Sequence, residues 1–354
     1  MILDGDRMRA ALRDLAPVLC VALLALTVGA VLASAGATLG YDASAYLLAS
    51  ERIRAGQPLY DPTVNVALGF GVFLYPPPFA LALLPFTFLP APLRLWAWLA
   101  TIVAAFLGGT AVLPVRPEVR WSIVLLAAIS FPFLYAVKLG QVEPLLYLIL
   151  AISWRWIDSA GATGLAVAAG ALIKVQPGIL FGWMIVSGRW RALTIGIATV
   201  ALAAIAASVL VGPACWSDYL ALLGRINKPV TTPNNLSPGA VAYAAGVGID
   251  AATVIQWVSV IGTLLVTLFA WFRRDAVTGL LVGLVASQLL SPVLWSHYAM
   301  LLLLPVALLL ERRHWWAVLI PLVTWLPTDL AFPVVFAASL IGPVATRRPS
   351  AAVM

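Results

Sequence analysis

The sequence predicts an all-α, polytopic membrane protein, and three observations lead to that prediction. Apolar residues make up 63% of the 354 residues and charged residues only 10%, whereas the surface of a soluble domain requires about 25% charged residues. The mean hydropathy is +1.02, and long apolar runs recur between short segments that contain Arg, Pro and Gly. Because a membrane helix needs about 20 residues, we expect roughly ten to twelve transmembrane helices in a single integral membrane domain, residues 1–354.

The net charge of +7 does not indicate a nucleic-acid-binding protein. The basic residues fall in small groups between apolar runs, as the positive-inside rule predicts for a membrane protein. Cys20 lies in the first apolar run and Cys215 just after a later one. Two cysteines so placed indicate neither a disulfide framework nor a metal site.

The first apolar run, 15–37, follows Arg7, Arg9 and Arg13. Small residues at 33–35 imitate a signal-peptidase site, but the run is longer than the roughly 7–15 residues of a signal peptide's apolar region. We therefore expect an uncleaved first helix with its N-terminus in the cytoplasm, and cleavage is the alternative.

Ten further apolar runs follow, and their alternation across the membrane assigns a side to each basic group. This alternation places Arg94, Arg189, Arg273 and Arg312 inside and leaves Arg116, Arg120 and Arg155 outside, so the positive-inside rule holds only as a bias. Pro residues divide the last run, which is either one long helix or a hairpin. The predicted runs are approximately 76–90, 95–114, 121–137, 142–157, 163–186, 192–212, 251–272, 276–291, 298–310 and 315–342.

Two predicted outer segments, 39–75 and 213–250, are long enough to carry function. Within the first, residues 42–56 have apolar side chains at helical spacing and end at Gly56, a typical helix stop. We expect this stretch to form a short amphipathic helix at the membrane interface. The second segment carries basic and amide side chains in loop-forming sequence.

Asp42, just beyond the first helix, is the candidate catalytic residue. Asp is a favoured N-cap residue, so the first interpretation is that Asp42 caps the interfacial helix. The second is that its carboxylate is a general base held at the membrane surface. The two roles are compatible.

Lys174 lies 11 residues into its predicted apolar run, about 16 Å from the helix start at 1.5 Å per residue. From that depth the side chain cannot easily reach water, so it requires a partner or a polar cavity. The alternatives are a structural ion pair and contact with a lipid phosphate. Glu143 is interpreted as a first-turn helix residue. His297 is either an interfacial His between Trp295 and Tyr298 or a phosphate-binding group.

The order of several short motifs resembles glycosyltransferase family 87 of the GT-C superfamily. These motifs extend from about residue 40 to residue 300. They comprise Tyr41-Asp42, Gly56, Leu59-Tyr60-Asp61, Tyr75-Pro76-Pro77, Gly140-Gln141, Lys174 with Pro177, Ser291-Pro292 and Trp295-Ser296-His297.

The resemblance implies a GT-C-type helical bundle in the bacterial plasma membrane. Its activity would be transfer of a hexose, mannose above all, from a polyprenyl-phosphate sugar to an envelope lipid or glycan acceptor at the outer face. Asp42 takes the place of the family's outer-loop carboxylate. A transporter or flippase of lipid-linked sugars and a non-catalytic subunit of an envelope complex are the alternatives.

The remaining site predictions follow from this chemistry. Cationic groups stabilise the charge that grows on the leaving lipid phosphate, and the candidates are His297, Lys174, Arg225 and Lys228. We expect Tyr41, Tyr60, Asp61 and Tyr75 to form the substrate loop. No cofactor is expected. No metal site is claimed, because Asp42 and Asp61 are too weak a pair to indicate one.

Overall fold

The computed structural model describes residues 5–61, 72–225 and 228–346, with side chains from residue 15 onward. Parts of the two predicted outer segments, 62–71 and 226–227, therefore lie outside the described residues. Within the described ranges every regular element is a helix, so the predicted all-α class is confirmed there.

The N-terminal half is a series of long helices interrupted by short ones. Its helices are α1 (Gly5–Ser34), α2 (Tyr41–Arg54), α3 (Pro77–Ala82), α4 (Leu84–Thr87), α5 (Ala91–Val112), α6 (Pro117–Ala128), α7 (Phe131–Leu139), α8 (Glu143–Arg155) and α9 (Ala160–Ile173).

The C-terminal half begins with a 3₁₀ helix, Gln176–Ile179, and two further 3₁₀ helices, Ser296–Leu302 and Trp315–Val318, lead into later α-helices. Its α-helices are α10 (Leu180–Val186), α11 (Trp190–Leu210), α12 (Ala214–Arg225), α13 (Pro238–Ala244), α14 (Ile249–Arg273), α15 (Ala276–Leu289), α16 (Leu303–Glu311), α17 (Leu319–Val323) and α18 (Ala331–Ala345).

Four described helices are long and apolar enough to cross a membrane: α1 from Leu15, α5, α11 and α14. The pair α6 and α7 adds a fifth crossing if it counts as one span, although the two helices meet at 64°. The protein is therefore a membrane protein, and the predicted ten to twelve crossings stay a prediction.

Proline explains where the predicted runs break. The run 76–90 forms the short helices α3 and α4, because Pro77, Pro78 and Pro85 lack an N–H and sit in the first turns of these helices. The run 163–186 is also divided. Pro177 has no N–H to donate to the carbonyl of Ile173 four residues earlier, and α9 ends at Ile173 with Lys174 extended behind it. The run 315–342 forms separate helices, as the hairpin alternative predicts.

The break at 76–90 contradicts the alternation that assigns sides to Arg94 and Arg116. Arg94 forms an ion pair with Glu51 of α2, so it lies at the same end of the bundle as the predicted outer helix. Arg116, one helix later, bonds through its backbone N–H and its guanidinium to Glu311 Oε2 (2.9 and 3.3 Å). Arg116 and Arg312 therefore share one end, although alternation predicts opposite sides for them. The alternation fails here because it takes 76–90 as a crossing.

Further arginines lie at the end that holds Arg116 and Arg312. Asp275 accepts a hydrogen bond from Arg312 (3.0 Å) directly after α14 ends at Arg273. Arg189 lies over the ring of Trp183, which packs against Gly279 near the start of α15. Arg189 also pairs with Asp158, three residues after Arg155 (3.6 Å). We call this group the arginine-rich end; it comprises Arg116, Arg155, Arg189, Arg273 and Arg312.

Burial separates the long helices from the short ones. In α1, α11 and α14, only 11–22% of the residues in the apolar span are buried. In contrast, α15 is buried from Val277 to Leu289 and α16 from Leu303 to Leu310. The long helices α1, α11 and α14 therefore form much of the periphery, and the short helices α15 and α16 lie in the interior.

Candidate active site

A cavity of about 1040 Å³ opens where the interior helices end, away from the arginine-rich end. It is bounded by the start of α2, the turn between α7 and α8, the break after α9, the segment before the 3₁₀ helix Ser296–Leu302, and the loop after α12. Five of its lining residues are predicted site residues with chargeable side chains: Asp42, Lys174, Arg225, Lys228 and His297.

Two close-packed glycine turns place Asp42 at the cavity wall. Gly40 has φ +64° and donates its N–H to the carbonyl of Lys138 (2.8 Å). Gly140 has φ +71°, and a Cβ there would lie 2.6 Å from the Cβ of Ala43. Only glycine combines this backbone with so close an approach. The contact holds the first turn of α2 against the α7–α8 turn.

Asp42 is not the N-cap of α2. Gly40 occupies that position, and Asp42 is the second helical residue. Its carboxylate instead accepts a hydrogen bond at Oδ2 from Gln141 Nε2 (2.6 Å). The capping interpretation is wrong because the left-handed turn at Gly40 starts the helix earlier than a cap at Asp42 requires.

Two tyrosines hold Gln141 from the other side. Tyr46 donates its hydroxyl hydrogen to Gln141 Oε1 (2.8 Å), and the hydroxyl of Tyr75 lies 3.1 Å from the same oxygen. The two phenol oxygens are 2.7 Å apart. Both tyrosines are buried, and Tyr75 also lines the cavity. The Asp42 carboxylate is thus joined to a buried polar network through one neutral amide.

Burial raises the pKa of the Asp42 carboxyl to about 6. The hydrogen bond from Gln141 opposes this effect, the negative charge of Glu143 adds to it, and the positive charge of Lys174 opposes it. Asp42 lies on α2, outside the candidate membrane spans. At neutral pH it is a carboxylate with a raised proton affinity, which suits a general base.

A buried charge cluster occupies the cavity floor. Lys174 Nζ donates to Glu143 Oε1 (2.7 Å), and His297 Nε2 lies 3.7 Å from the same oxygen. The ammonium also lies 3.6 Å from the ring centroid of Tyr298, a cation–π contact. Glu143 is fully buried. Lys174 therefore has both features that its depth predicts, a partner and a polar cavity.

The position of Lys174 corrects the sequence prediction. Lys174 is not in mid-helix; it caps α9 in extended conformation (φ −145°, ψ 130°). The break after Ile173 brings the side chain to the cavity, where Lys174 and Gln176 both contribute to the lining. Gln176 Nε2 donates to Ser291 Oγ (2.8 Å), which ties the break to the segment that leads to His297.

Asn235 connects the loop after α12 to the same segment. Its Nδ2 donates to the carbonyls of Pro229 (2.6 Å) and Pro292 (3.0 Å). Its Oδ1 accepts from the backbone N–H groups of Ser237 (3.0 Å) and Leu294 (2.9 Å). These four bonds hold the loop that carries Lys228 against the wall that carries His297.

The predicted substrate-loop residues divide into three groups. Tyr75 lines the main cavity. Tyr60 and Asp61 instead line a neighbouring cavity of about 190 Å³, where Asp61 lies 3.7 Å from Arg52. Tyr60 supports Tyr75 indirectly, since its hydroxyl donates to the Tyr75 carbonyl (2.6 Å). Tyr41 lines neither of these two cavities.

Sequence reasoning missed two side chains of the site. Gln141 appears only as part of the Gly140-Gln141 motif, and Glu143 only as a first-turn residue, which its place at the start of α8 confirms. A signal for Glu143 existed. Lys174 requires a buried partner, and Glu143 is followed by Pro144 and a long apolar stretch in a chain with only 14 acidic residues.

Chemically, the cavity combines the carboxylates of Asp42 and Asp329 with several basic groups. A carboxylate can take a proton from a hydroxyl, and the basic groups can hold an anion. Among residues 15–61, 72–225 and 228–346, no group of three or more His, Cys, Asp or Glu side chains is placed to hold a metal ion.

Comparison with known proteins agrees with this chemistry. Residues 73–292, more than half of the chain, match glycosyltransferase family 87. The chain is also similar to the polyprenol-phosphate-mannose-dependent alpha-(1-2)-phosphatidylinositol pentamannoside mannosyltransferase of Mycobacterium tuberculosis (strain CDC 1551 / Oshkosh). The two are 26% identical over 276 residues, which cover 72% of this chain and 58% of the relative. No solved structure matches the protein. The extent of the family match shows that the chain belongs to glycosyltransferase family 87.

Proposed function

We propose that the protein transfers a hexose, mannose, from a polyprenyl-phosphate donor to an envelope lipid or glycan acceptor. In this proposal it is a GT-C-type enzyme of a single membrane domain, and it acts at the extracytoplasmic face of the bacterial plasma membrane. The observation that carries the proposal is one cavity lined by both Asp42 and the Lys174–His297 group. The printed name of the mycobacterial relative supports the donor and the lipid-type acceptor.

Asp42 is the general base in this proposal. The acceptor hydroxyl attacks the anomeric carbon of the sugar while its proton passes to the Asp42 carboxylate. The bond between the anomeric carbon and the phosphate oxygen breaks, and the electron pair leaves with the polyprenyl phosphate. The configuration at the anomeric carbon inverts because attack and departure take place on opposite faces.

The basic groups stabilise the leaving phosphate. Negative charge grows on the bridging oxygen as the bond breaks, so a cation placed there stabilises the transition state more than the ground state. Lys174 at the cavity floor is the first candidate cation, and Arg225 and Lys228 line the same cavity. His297 can contribute a hydrogen bond from a neutral imidazole, because burial lowers its pKa to about 4. Glu143 balances part of the charge of Lys174, which keeps the ammonium protonated and oriented.

The distribution of arginines supports the outer-face assignment. The arginine-rich end lies opposite the cavity, and Lys/Arg-rich ends of membrane proteins face the cytoplasm. Impermeant maleimide labelling in intact cells tests this assignment, in a background without the buried Cys20 and Cys215. A cysteine at the exposed Ser44 is expected to react. A cysteine at Asp158, whose side chain is 93% exposed at the arginine-rich end, is the matched control and is expected to react only after rupture. The reverse pattern would contradict the assignment.

A transfer assay tests the activity itself. Purified protein is mixed with radiolabelled polyprenyl-phosphate mannose and an envelope lipid extract, with polyprenyl-phosphate glucose as the competing donor. Labelled lipid or glycan product that depends on Asp42 supports the proposal. Movement of donor across a vesicle bilayer without product would support a flippase instead. Product formation that does not depend on Asp42 would contradict the assignment of Asp42 as the general base.

A further inference from the structure

We propose that Gln141 is a positioning residue, which holds Asp42 Oδ2 and leaves Oδ1 as the oxygen that accepts the substrate proton. The proposal rests on the proposed function, because it assigns an atom to the role given to Asp42. Gln141 touches the carboxylate and does not need to contact the sugar or the phosphate.

The orientation of the Gln141 amide follows from its neighbours. A carboxylate only accepts hydrogen bonds, whereas a phenol hydroxyl can donate one. Asp42 Oδ2 lies 2.6 Å from one end of the amide, and the hydroxyls of Tyr46 and Tyr75 lie 2.8 and 3.1 Å from the other. The NH₂ group must therefore face Asp42. A flipped amide would place its oxygen against the carboxylate and its donors against the phenols.

In both directions of the hydrogen bond between the two tyrosines, one hydroxyl is left to donate to Gln141 Oε1. Each hydroxyl has one hydrogen, and the two oxygens are 2.7 Å apart. If Tyr75 donates to Tyr46, Tyr46 donates to Gln141 Oε1; if the direction reverses, Tyr75 donates to Gln141 Oε1. Either way the amide oxygen keeps a donor, so its orientation does not depend on the direction of the tyrosine pair.

The support behind this network is rigid. Tyr46 is 1% exposed and packs edge-on against Phe79 and Trp98, with ring centroids 5.5 and 5.9 Å away. The backbone N–H of Gln141 donates to the carbonyl of Ala136 (2.8 Å), which closes the turn after α7. The amide therefore presents its NH₂ group in a fixed direction.

The consequence is that the two oxygens of Asp42 differ. Oδ2 accepts the bond from Gln141, and within the described residues no side chain donates to Oδ1. Asp42 lines the cavity, so the unoccupied oxygen is the one that an incoming hydroxyl meets. The same bond stabilises the charged form of the carboxyl against its burial, and hence keeps the base deprotonated at neutral pH.

Gln141→Leu tests the inference through the pH dependence of transfer. Removal of the hydrogen bond is expected to move the acidic limb of the pH–rate profile upward by about 1–2 pH units, with transfer retained above the limb. Gln288→Leu is the matched control. Gln288 is also a buried glutamine, but it lies on α15 outside the cavity lining, so its variant is expected to leave the limb in place. An equal loss of rate at every pH in Gln141→Leu would reduce Gln141 to a packing role and overturn the proposal.

A second measurement does not depend on folding of that variant or on sugar transfer. The double variant Tyr46→Phe/Tyr75→Phe releases the amide oxygen, and we expect a smaller upward shift in the same direction. Infrared titration of the Asp42 carboxyl, as the difference between wild type and Asp42→Asn, follows this protonation directly in detergent. A wild type that transfers no sugar would contradict the proposed function alone, since the infrared shift still tests Gln141. An unshifted Asp42 band in the double tyrosine variant would overturn the role of Gln141.

Discussion

Asp42 and Glu143 are two carboxylates that meet at the same turn between α7 and α8, but their surroundings differ in two ways. Asp42 lines the cavity and is hydrogen-bonded by the neutral amide of Gln141. Glu143 is fully buried, is paired with the Lys174 ammonium, and keeps Oε2 without a partner among the described residues. Access and the charge of the partner therefore separate a carboxylate that can exchange a proton with substrate from one that balances a buried cation.

The largest expected effect is the loss of transfer in Asp42→Asn. The asparagine side chain has the same size, and its amide oxygen can still accept from Gln141, but it cannot take the proton. We expect transfer to fall by about 10²–10⁴-fold, the usual contribution of a positioned base. Steady-state transfer and donor affinity, measured on the same preparation, separate lost chemistry from lost binding.

Asp61→Asn is the control for this prediction. Asp61 lines the neighbouring cavity and faces Arg52 rather than Gln141, so its variant is expected to have a milder effect. Near-normal transfer by Asp42→Asn would show that Asp42 is not the base. Equal losses in both variants would show that the distinction between the two cavities is wrong.

For the buried carboxylate, Glu143, we predict an effect on the free energy of unfolding. Glu143→Gln leaves the Lys174 ammonium without its counter-charge, and a broken buried pair costs about 3–5 kcal/mol. We expect about 3 kcal/mol, the low end, because the ring of Tyr298 still faces the ammonium (3.6 Å). Unfolding in detergent measures this cost.

The double variant Glu143→Gln/Lys174→Met removes both charges and is expected to regain most of the lost stability. Donor affinity of this folded variant then tests Lys174 as a phosphate ligand. If the double variant binds the donor as tightly as the wild type, Lys174 has a structural role only. No recovery of stability would contradict the ion pair as the main contribution of Glu143.

The smallest expected effect is a pH dependence from Asp42. Its folded pKa of about 6 lies above the ordinary value of 3.8, and only the deprotonated form is a base. Transfer is therefore expected to fall about tenfold per pH unit below pH 6 and to be level above it. The same shift means that ionisation of Asp42 lowers stability as pH rises through the window from about 4 to 6. A profile flat down to pH 4.5 would contradict the raised pKa.

The helical class and most helix positions follow from the sequence, because apolar runs and proline breaks are local signals. The ends of the bundle at which Arg94, Arg116 and Arg155 lie do not follow from the sequence. Alternation assigns each basic group from the crossings before it, so taking 76–90 as a crossing reverses the assignments after it until a second wrong crossing reverses them again. Lys174 shows the same limit. The apolar pattern continues through Pro177, and only the folded chain shows that α9 ends at Ile173.

The candidate site was predictable residue by residue but not as an arrangement. Asp42, Lys174 and His297 are unusual at their positions, so the sequence indicates each of them. Gln141 and Glu143 are identified only by the folded structure, in which the turn that carries them contacts α2 and the break after α9. Their spacings of 99 residues to Asp42 and 31 residues to Lys174 contain no local pattern.

The contrast between long peripheral helices and short interior ones also determines how the protein fits the lipid bilayer. At 1.5 Å per residue, the 14 residues of α15 cover about 21 Å, less than the hydrocarbon thickness of about 30 Å. Because α15 is buried, lipid tails meet the longer α1, α11 and α14 instead, which match the bilayer. Hydrophobic mismatch is thus avoided at the lipid boundary, although α15 is shorter than the hydrocarbon layer. In the proposed reaction, a polyprenyl chain that stays in the hydrocarbon layer would then bring its phosphate to the cavity floor without lifting its tail into water.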